Sequence, residues 1–157
     1  MRNTILLIAI LIALLPSCEE DGFELNTERF LIFGTYAGEC IGPQCVRLYR
    51  ITSTELFEGV DETYPGSVPY NGDFELLPQA TFEAVKDLIE AIPNSLIDAD
   101  SQTFGCPDCA DQGGYYLEYN TPTEVKAWFI DTNEDAIPEY LNDLTKILNE
   151  KLIFLKN

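Results

Sequence analysis

The first 18 residues constrain this chain most, because they decide which part of it folds and in which compartment. Arg2 is followed by an uncharged apolar run from Ile5 to Leu15. The run is shorter than the ~20 apolar residues that a membrane-spanning helix needs, and a basic start before it is typical of a secretory signal. We therefore expect residues 1–17 to be a signal peptide and the remainder to fold in an oxidising compartment.

The signal ends in Leu15-Pro16-Ser17-Cys18, which resembles the lipobox cleaved by lipoprotein signal peptidase. The shared features are an apolar residue, a small residue directly before the cut, and a cysteine directly after it. The resemblance implies that Cys18 is acylated, with palmitate among its chains, and holds the protein on a membrane. Stable anchoring takes more than one acyl chain. The alternative is an ordinary secretory signal in which Cys18 is incidental.

The residues after Cys18 bear on the location. Glu19, Glu20 and Asp21 resemble the surface-export signal of Bacteroidota lipoproteins, and the alternative is a plain solvated linker. We expect an outer-membrane lipoprotein, on the periplasmic face or on the cell surface. Residues 18–28 are then the acylated cysteine and an acidic tether, and residues 29–157 are a single domain.

Charge and composition exclude several functions. The chain has nine basic and 27 acidic residues and a net charge of −18, which argues against binding of nucleic acid or anionic lipid. It has no histidine, which excludes Ser-His-Asp and Cys-His nucleophiles, histidine bases and histidine-ligated metals. The many carboxylates single out no catalytic pair, so we predict no catalytic residue and no cofactor.

Periodicity predicts the strands and helices. Five segments read as strands: Arg29–Tyr36, Val46–Ile51, a weaker Glu55–Val60, Tyr115–Tyr119 and Glu124–Asp131. Apolar residues at helical spacing predict one helix from near Pro78 to Ile92 and a second from Pro138, with an irregular loop over residues 94–114.

The order β-β-(β)-α-β-β-α predicts an α+β fold. We expect an antiparallel sheet of four to five strands with both helices on one face and the other face open to solvent. Alternation along the Tyr115 strand places Tyr116 and Glu118 on the outward face, which makes them a candidate binding surface. Tyr115, Tyr116, Tyr119 and Trp128 lie on adjacent strands, where we expect cross-strand packing. The alternative is an aromatic platform on the face open to solvent, which would receive a partner or a sugar.

Residues 40–49, Cys-Ile-Gly-Pro-Gln-Cys-Val-Arg-Leu-Tyr, resemble the C-x-G-x-C-P-x-Y hairpin of a small domain of unknown function common in Bacteroidota lipoproteins. The order of later elements is similar too. The cysteine spacing is one residue longer here, Val46 replaces the proline, and Cys106 and Cys109 have no counterpart. The resemblance implies a fold and carries no activity.

Four cysteines besides Cys18 admit three interpretations. The first is structural disulfides, with the local pairs Cys40–Cys45 and Cys106–Cys109 favoured over cross-pairing. The second is a thiol–disulfide oxidoreductase using the C-x-x-C of Cys106 and Cys109, although acidic neighbours and the lack of a following helix oppose a reactive thiolate. The third is a zinc site formed by all four thiolates.

One further motif concerns metal binding. Asp131, Asn133 and Asp135 match the first half of a calcium loop, but Ala136 replaces its glycine and Asn142 its bidentate glutamate. The alternative is an acidic loop whose carboxylates favour the start of the second helix.

The function predicted from these features is an envelope-anchored, non-enzymatic interaction or accessory module with an unknown envelope protein as partner. The thiol–disulfide oxidoreductase is the alternative from a different class. An inhibitor of an envelope or host hydrolase is a third hypothesis, which no particular residue supports.

Overall fold

The computed structural model describes residues 25–26, 28–42, 45–66 and 68–157. The expected signal peptide, Cys18 and most of the tether lie outside these residues. Leu25, which the sequence assigned to the tether, is 8% exposed and packs in a hydrophobic core. The folded part of the chain therefore includes Leu25.

The centre of the fold is one mixed sheet of seven strands. In chain order these are β1 Phe30–Tyr36, β2 Val46–Ile51, β3 Leu56–Gly59, β4 Phe74–Leu76, β5 Gln102–Phe104, β6 Gly114–Asn120 and β7 Val125–Asp131. Across the sheet they follow the order β4-β3-β2-β1-β6-β7-β5, and only β5 and β7 are parallel. The predicted α+β class is confirmed. The predicted count of four to five strands and the purely antiparallel sheet are wrong, because β4 and β5 extend the two edges.

Three α-helices accompany the sheet: α1 Gln79–Val85, α2 Asn94–Ile97 and α3 Asn142–Leu155. The first predicted helix begins after Pro78 as expected but continues as a 3₁₀ segment over Lys86–Ala91. The second predicted helix starts with a 3₁₀ turn, Glu139–Leu141, before α3. None of the helices in the described residues is long and apolar enough to cross a membrane.

The larger core lies between the sheet and the helices. Phe33, Leu117 and Trp128 from the sheet meet apolar residues of both helical regions, which confirms that the helices share one face. Trp128 is fully buried, and its Nε1 donates a hydrogen bond to the Asp100 carbonyl oxygen at 3.1 Å. The helix residues of this core include Phe82, Val85, Leu88, Leu96, Leu144, Leu148 and Leu152.

The other face of the sheet is also covered, and the prediction that it is open to solvent is wrong. Ile32, Leu48 and Tyr116 are buried there in a second core that includes Tyr70. Tyr70 lies in the connection between β3 and β4, which folds back over this face. Its ring centroid is 6.4 Å from that of Tyr116.

The pairing register gives the sheet two distinct ends. β1 begins at Phe30, opposite Asn120 of β6, and ends at Tyr36, opposite both Val46 of β2 and Gly114 of β6. A strand of this length spans about 20 Å. The chain therefore enters the sheet at one end, here called the entry end, and β1 carries it to the other.

Candidate functional site

Both disulfides lie at the end of the sheet away from the entry end. Cys40–Cys45 closes the β1–β2 connection, with 5.4 Å between the Cα atoms, and Cys106–Cys109 closes the loop before β6, with 5.5 Å. The predicted local pairing is confirmed and cross-pairing is excluded. These two loops, residues 37–45 and 105–113, are called the disulfide end below.

A single carboxylate joins the two disulfide loops. Asp108 Oδ2 accepts a hydrogen bond from the Gly38 backbone N at 2.6 Å, and Oδ1 accepts one from the Gly113 N at 3.1 Å. The hydroxyl of Tyr64 donates to the same Oδ2 at 3.5 Å. Asp108 has a φ of +60°, a conformation that few residues other than glycine, asparagine and aspartate adopt readily. Asp108 therefore braces the disulfide end, a role that its place in the C-x-x-C sequence does not indicate.

A second carboxylate fixes the Cys106 loop to the sheet. Asp131, at the end of β7, is 4% exposed. Its Oδ2 accepts from the Cys106 N at 2.8 Å, and its Oδ1 accepts from the Asn133 N at 2.9 Å. The loop passes so close to Asp131 that a Cβ on Gly105, whose φ is +74°, would lie 2.6 Å from the Asp131 Cβ. Only glycine fits there without displacement.

Residues of the possible calcium loop are engaged in hydrogen bonds with the backbone. Both carboxylate oxygens of Asp131 already accept backbone N–H groups, and Asn133 Oδ1 accepts from the Asp135 N at 3.1 Å. In the part of the chain that the structure describes, no three Asp, Glu or Cys side chains converge on a metal-binding position. The zinc hypothesis is likewise contradicted, because all four of its cysteines are bonded in disulfides.

The surroundings of the Cys106–Cys109 disulfide do not favour redox activity. Both cysteines are exposed, and the Cys109 N donates to the Cys106 carbonyl in a turn rather than opening a helix. Reactive thiolates are stabilised by a helix N-terminus or a neighbouring cation. Here Asp108 and Asp111 flank the cysteines instead, and their negative charge disfavours a thiolate.

Tyr116 and Glu118, predicted to be an outward binding face, are both fully buried, and that prediction is wrong. Glu118 Oε2 accepts hydrogen bonds from the Tyr70 backbone N at 2.8 Å and from the Tyr116 hydroxyl, and Oε1 accepts from Asn120 Nδ2 at 2.7 Å. Burial, followed by the hydrogen bond to Glu118, raises the pKa of Tyr116. The group is an internal polar network that fastens the covering loop to β6.

The other aromatic residues of these strands also serve packing. Tyr115 and Tyr119 are each 8% exposed and Trp128 is fully buried, all in the helix-side core. The expected packing is confirmed, and these buried side chains do not form an exposed aromatic platform.

A pocket of about 230 Å³ opens beside the disulfide end, between the β1–β2 hairpin and the end of α3. Thr35 and Arg47 face each other across the hairpin, one residue before the strands reach the disulfide loop. The pocket is called the basic pocket, and its lining residues are Thr35, Arg47, Asn149, Leu152, Ile153 and Lys156. The sequence does not predict this pocket, although Arg47 shares a strand face with Tyr49 and Ile51, and a charged residue on such a face indicates a polar site.

A second cavity, of about 210 Å³, lies beside Arg50 near the entry end. The Arg50 guanidinium carbon is 4.2 Å from the ring centroid of Phe57, and the rings of Phe30 and Phe74 lie within 5.6 Å. Burial lowers the pKa of Arg50, and the charge of Glu55 opposes that shift. Because Glu55 also lines the cavity, its chemistry is mixed in sign.

No protein-family model matches this sequence, and no curated protein matches it significantly. The resemblance to the Bacteroidota hairpin domain therefore stays a prediction.

Proposed function

We propose that this protein is an envelope lipoprotein, anchored by lipid on Cys18, whose domain binds a protein partner through its disulfide end and catalyses no reaction. The observation that carries the proposal is the polarity of β1. The chain enters this strand at Phe30, and the disulfide end begins directly after Tyr36. A domain tethered at its entry end holds its disulfide end about 20 Å further from the membrane.

The construction of the disulfide end supports a binding role. Two disulfides and the Asp108 hydrogen bonds restrict loops that would otherwise lose conformational freedom on binding, and such preorganisation favours affinity. Ile41, at the tip of the first loop, is fully exposed at 104% of its reference area. A large apolar side chain on a loop that is closed by a disulfide provides a contact that gains free energy when a partner covers it.

The anchor is tested by replacing Cys18 with serine. We expect the native protein to incorporate labelled palmitate and to sediment with membranes, and the Cys18→Ser protein to do neither. Equal palmitate labelling of both proteins would disprove anchoring through this residue. Protease treatment of intact cells then distinguishes the cell surface from the periplasmic face.

The binding end is tested by photo-crosslinking in living cells. A photoreactive amino acid is placed at Ile41 or, as a matched exposed aliphatic control, at Leu76 on the edge strand β4 near the entry end. We expect a discrete protein adduct from position 41 and none from position 76. Asp108→Ala, which disconnects the two loops without removing a cysteine, should weaken that adduct. Equal adducts from both positions, or adducts from position 76 alone, would refute the proposal, as would the absence of any adduct from position 41.

The second candidate is a thiol–disulfide oxidoreductase. One observation favours it, namely that the Cys106–Cys109 disulfide is exposed at the same end of the sheet. The flanking carboxylates oppose it. The reduction potential of this disulfide distinguishes the binding protein from the oxidoreductase. A structural disulfide has a potential below about −300 mV, whereas a labile one has a potential near −200 mV or above.

A further inference from the structure

We propose that the basic pocket binds a small carboxylate that carries a short apolar group. This rests on the proposed function in one respect, since the pocket adjoins the disulfide end and would contribute to what that end recognises. The pocket itself is argued from its own residues and is tested separately.

The pairing of Arg47 and Lys156 with carboxylates differs from that of the lysines elsewhere in the described residues. Acidic residues outnumber basic ones by 27 to nine, so a carboxylate partner is abundant. Among the described residues, four lysines have a carboxylate oxygen within 4.0 Å, whereas Arg47 and Lys156 have none. Arg47 interacts instead with the hydroxyl of Tyr49. The paired lysines are Lys86, Lys126, Lys146 and Lys151.

Lys156, which lines the basic pocket, lies at the C-terminal end of α3. A cation near a helix C-terminus is often explained by the partial negative charge of its free carbonyls, which would also repel an anionic ligand. Here the last carbonyls already face donors of the chain itself. These contacts are Lys156 N to Leu152 O at 3.2 Å, Asn157 Nδ2 to Ile153 O at 2.8 Å and Asn157 N to Phe154 O at 3.3 Å. The Tyr49 hydroxyl, which also donates to Glu58 Oε1 at 3.3 Å, lies 3.5 Å from Leu155 O. Lys156 is therefore not required as a cap for these carbonyls.

The lining of the basic pocket has the chemistry of an anion site. Thr35 supplies a hydroxyl and Asn149 an amide, and no acidic side chain lines the pocket, unlike the cavity beside Arg50. Two cations with two neutral donors match the acceptor oxygens of a carboxylate. This end of the pocket therefore selects for a negative head group.

The basic pocket also has an apolar wall and a limited volume. Leu152 is largely buried and Ile153 is 56% exposed, and together they form the apolar wall. The volume of about 230 Å³ corresponds to several water molecules at ~30 Å³ each. That space accommodates a carboxylate with a side chain of about leucine size.

The binding test compares N-acetyl-leucine with N-acetyl-leucinamide, which has the same apolar group and no charge. Both are titrated by ligand-observed NMR into the intact protein in phosphatidylcholine nanodiscs, with empty nanodiscs as the blank. We expect saturable binding of the carboxylate and at least about tenfold weaker binding of the amide, the loss typical of a hydrogen bond to a charged group. Equal binding of the two, or saturable binding of neither, would overturn the proposal. Binding of inorganic phosphate in preference to N-acetyl-leucine would also overturn it.

Substitutions then place the ligand in the pocket. Lys156→Gln and Arg47→Gln should each weaken N-acetyl-leucine binding about tenfold, whereas Lys146→Gln, on an exposed lysine of the same helix that pairs with Glu134, should not. Lys156 is exposed at the end of α3, so its replacement tests the site even if Arg47→Gln impairs folding. Unchanged binding in Lys156→Gln would exclude this pocket. The Ile41 crosslink is recorded in parallel. If the native protein shows the crosslink but no saturable binding of N-acetyl-leucine, this inference alone is refuted.

Discussion

Replacement of the buried Glu118 tests most directly how the second face of the sheet is held together. Glu118 is fully buried on β6 and accepts hydrogen bonds from the Tyr70 N, the Tyr116 hydroxyl and the Asn120 amide. Glu118→Leu leaves three buried donors without an acceptor, at about 1–3 kcal/mol each. Removing a desolvated carboxylate offsets several kcal/mol of that loss. We expect a net decrease of about 2–4 kcal/mol in the free energy of unfolding.

Glu118→Gln separates the charge from the hydrogen bonds. The glutamine oxygen, in the place of Oε2, still accepts from the Tyr70 N and the Tyr116 hydroxyl. Its amide meets the Asn120 side chain, which turns over to accept through its own oxygen. Because at most one bond is weakened, we expect a loss of about 1 kcal/mol. The predicted order of stability is wild type, then Glu118→Gln, then Glu118→Leu.

The assay is urea unfolding of the chain from residue 19 onward, with disulfides intact. Trp128, the single tryptophan, is fully buried and reports unfolding by fluorescence. The matched control is Glu75→Leu on the exposed edge strand β4, which should lie within about 0.5 kcal/mol of wild type. If Glu118→Leu is as stable as wild type, the cost of burying the charge exceeds the value of its hydrogen bonds, and our reasoning is refuted.

Three further predictions follow from the site. Replacing Cys106 and Cys109 together by serine should lower the free energy of unfolding by only about 2 kcal/mol, because closing so short a loop removes little entropy from the unfolded chain. The same replacement should leave insulin reduction by the protein unchanged, and a loss of insulin reduction would favour the oxidoreductase. Stability should fall as the pH rises from 10 towards 12, because burial, with a smaller contribution from Glu58, raises the pKa of Tyr49 from 10.0 to about 12. Burial acts in the same direction on six other tyrosines. The unfolded chain then loses these protons first, so the stabilisation is complete below the ordinary tyrosine pKa and is lost as the pH passes the pKa of the folded protein. Tyrosinate absorbance and circular dichroism, followed together, check this. Ionisation of these tyrosines near their ordinary pKa of 10.0 in a protein that is still folded would contradict it. Calcium should leave the thermal midpoint unchanged, because Ala136 and Asn142 replace the glycine and the bidentate glutamate of a calcium loop, and a rise in the midpoint would favour calcium binding there.

Local patterns predicted the elements whose apolar side chains repeat at a regular spacing. The alternation of side chains predicts a strand over Val46–Ile51, and the structure has a strand with the same bounds. The apolar stripes of both helices were found because helical spacing repeats over several turns. The three-residue strands β4 and β5 were missed, since so short a segment shows no periodicity and depends on its partner for stability.

The error over Tyr116 and Glu118 has a different cause. A carboxylate in an alternating strand is a good indicator of solvent, because glutamate is rarely buried without partners. Here the partners come from the loop that carries Tyr70, far away in the chain. The basic pocket was missed for a similar reason, since Arg47 and Lys156 come together only when α3 packs on the β1–β2 hairpin. Pairings across such distances leave no periodic signal in a single sequence.

The two arginines of β2 allow a final test of which cations are structural and which are available to a ligand. Arg50 is half-buried over three phenylalanine rings, whose faces stabilise its charge. Arg47 lies on the opposite face of the strand, half-buried in the basic pocket, with a hydroxyl as its neighbour. Arg50→Gln should therefore lower the free energy of unfolding by about 1–2 kcal/mol and leave N-acetyl-leucine binding intact. Arg47→Gln should weaken N-acetyl-leucine binding and leave the free energy of unfolding nearly unchanged. If the two substitutions have the same effects on stability and on binding, neither arginine is a dedicated ligand-binding cation.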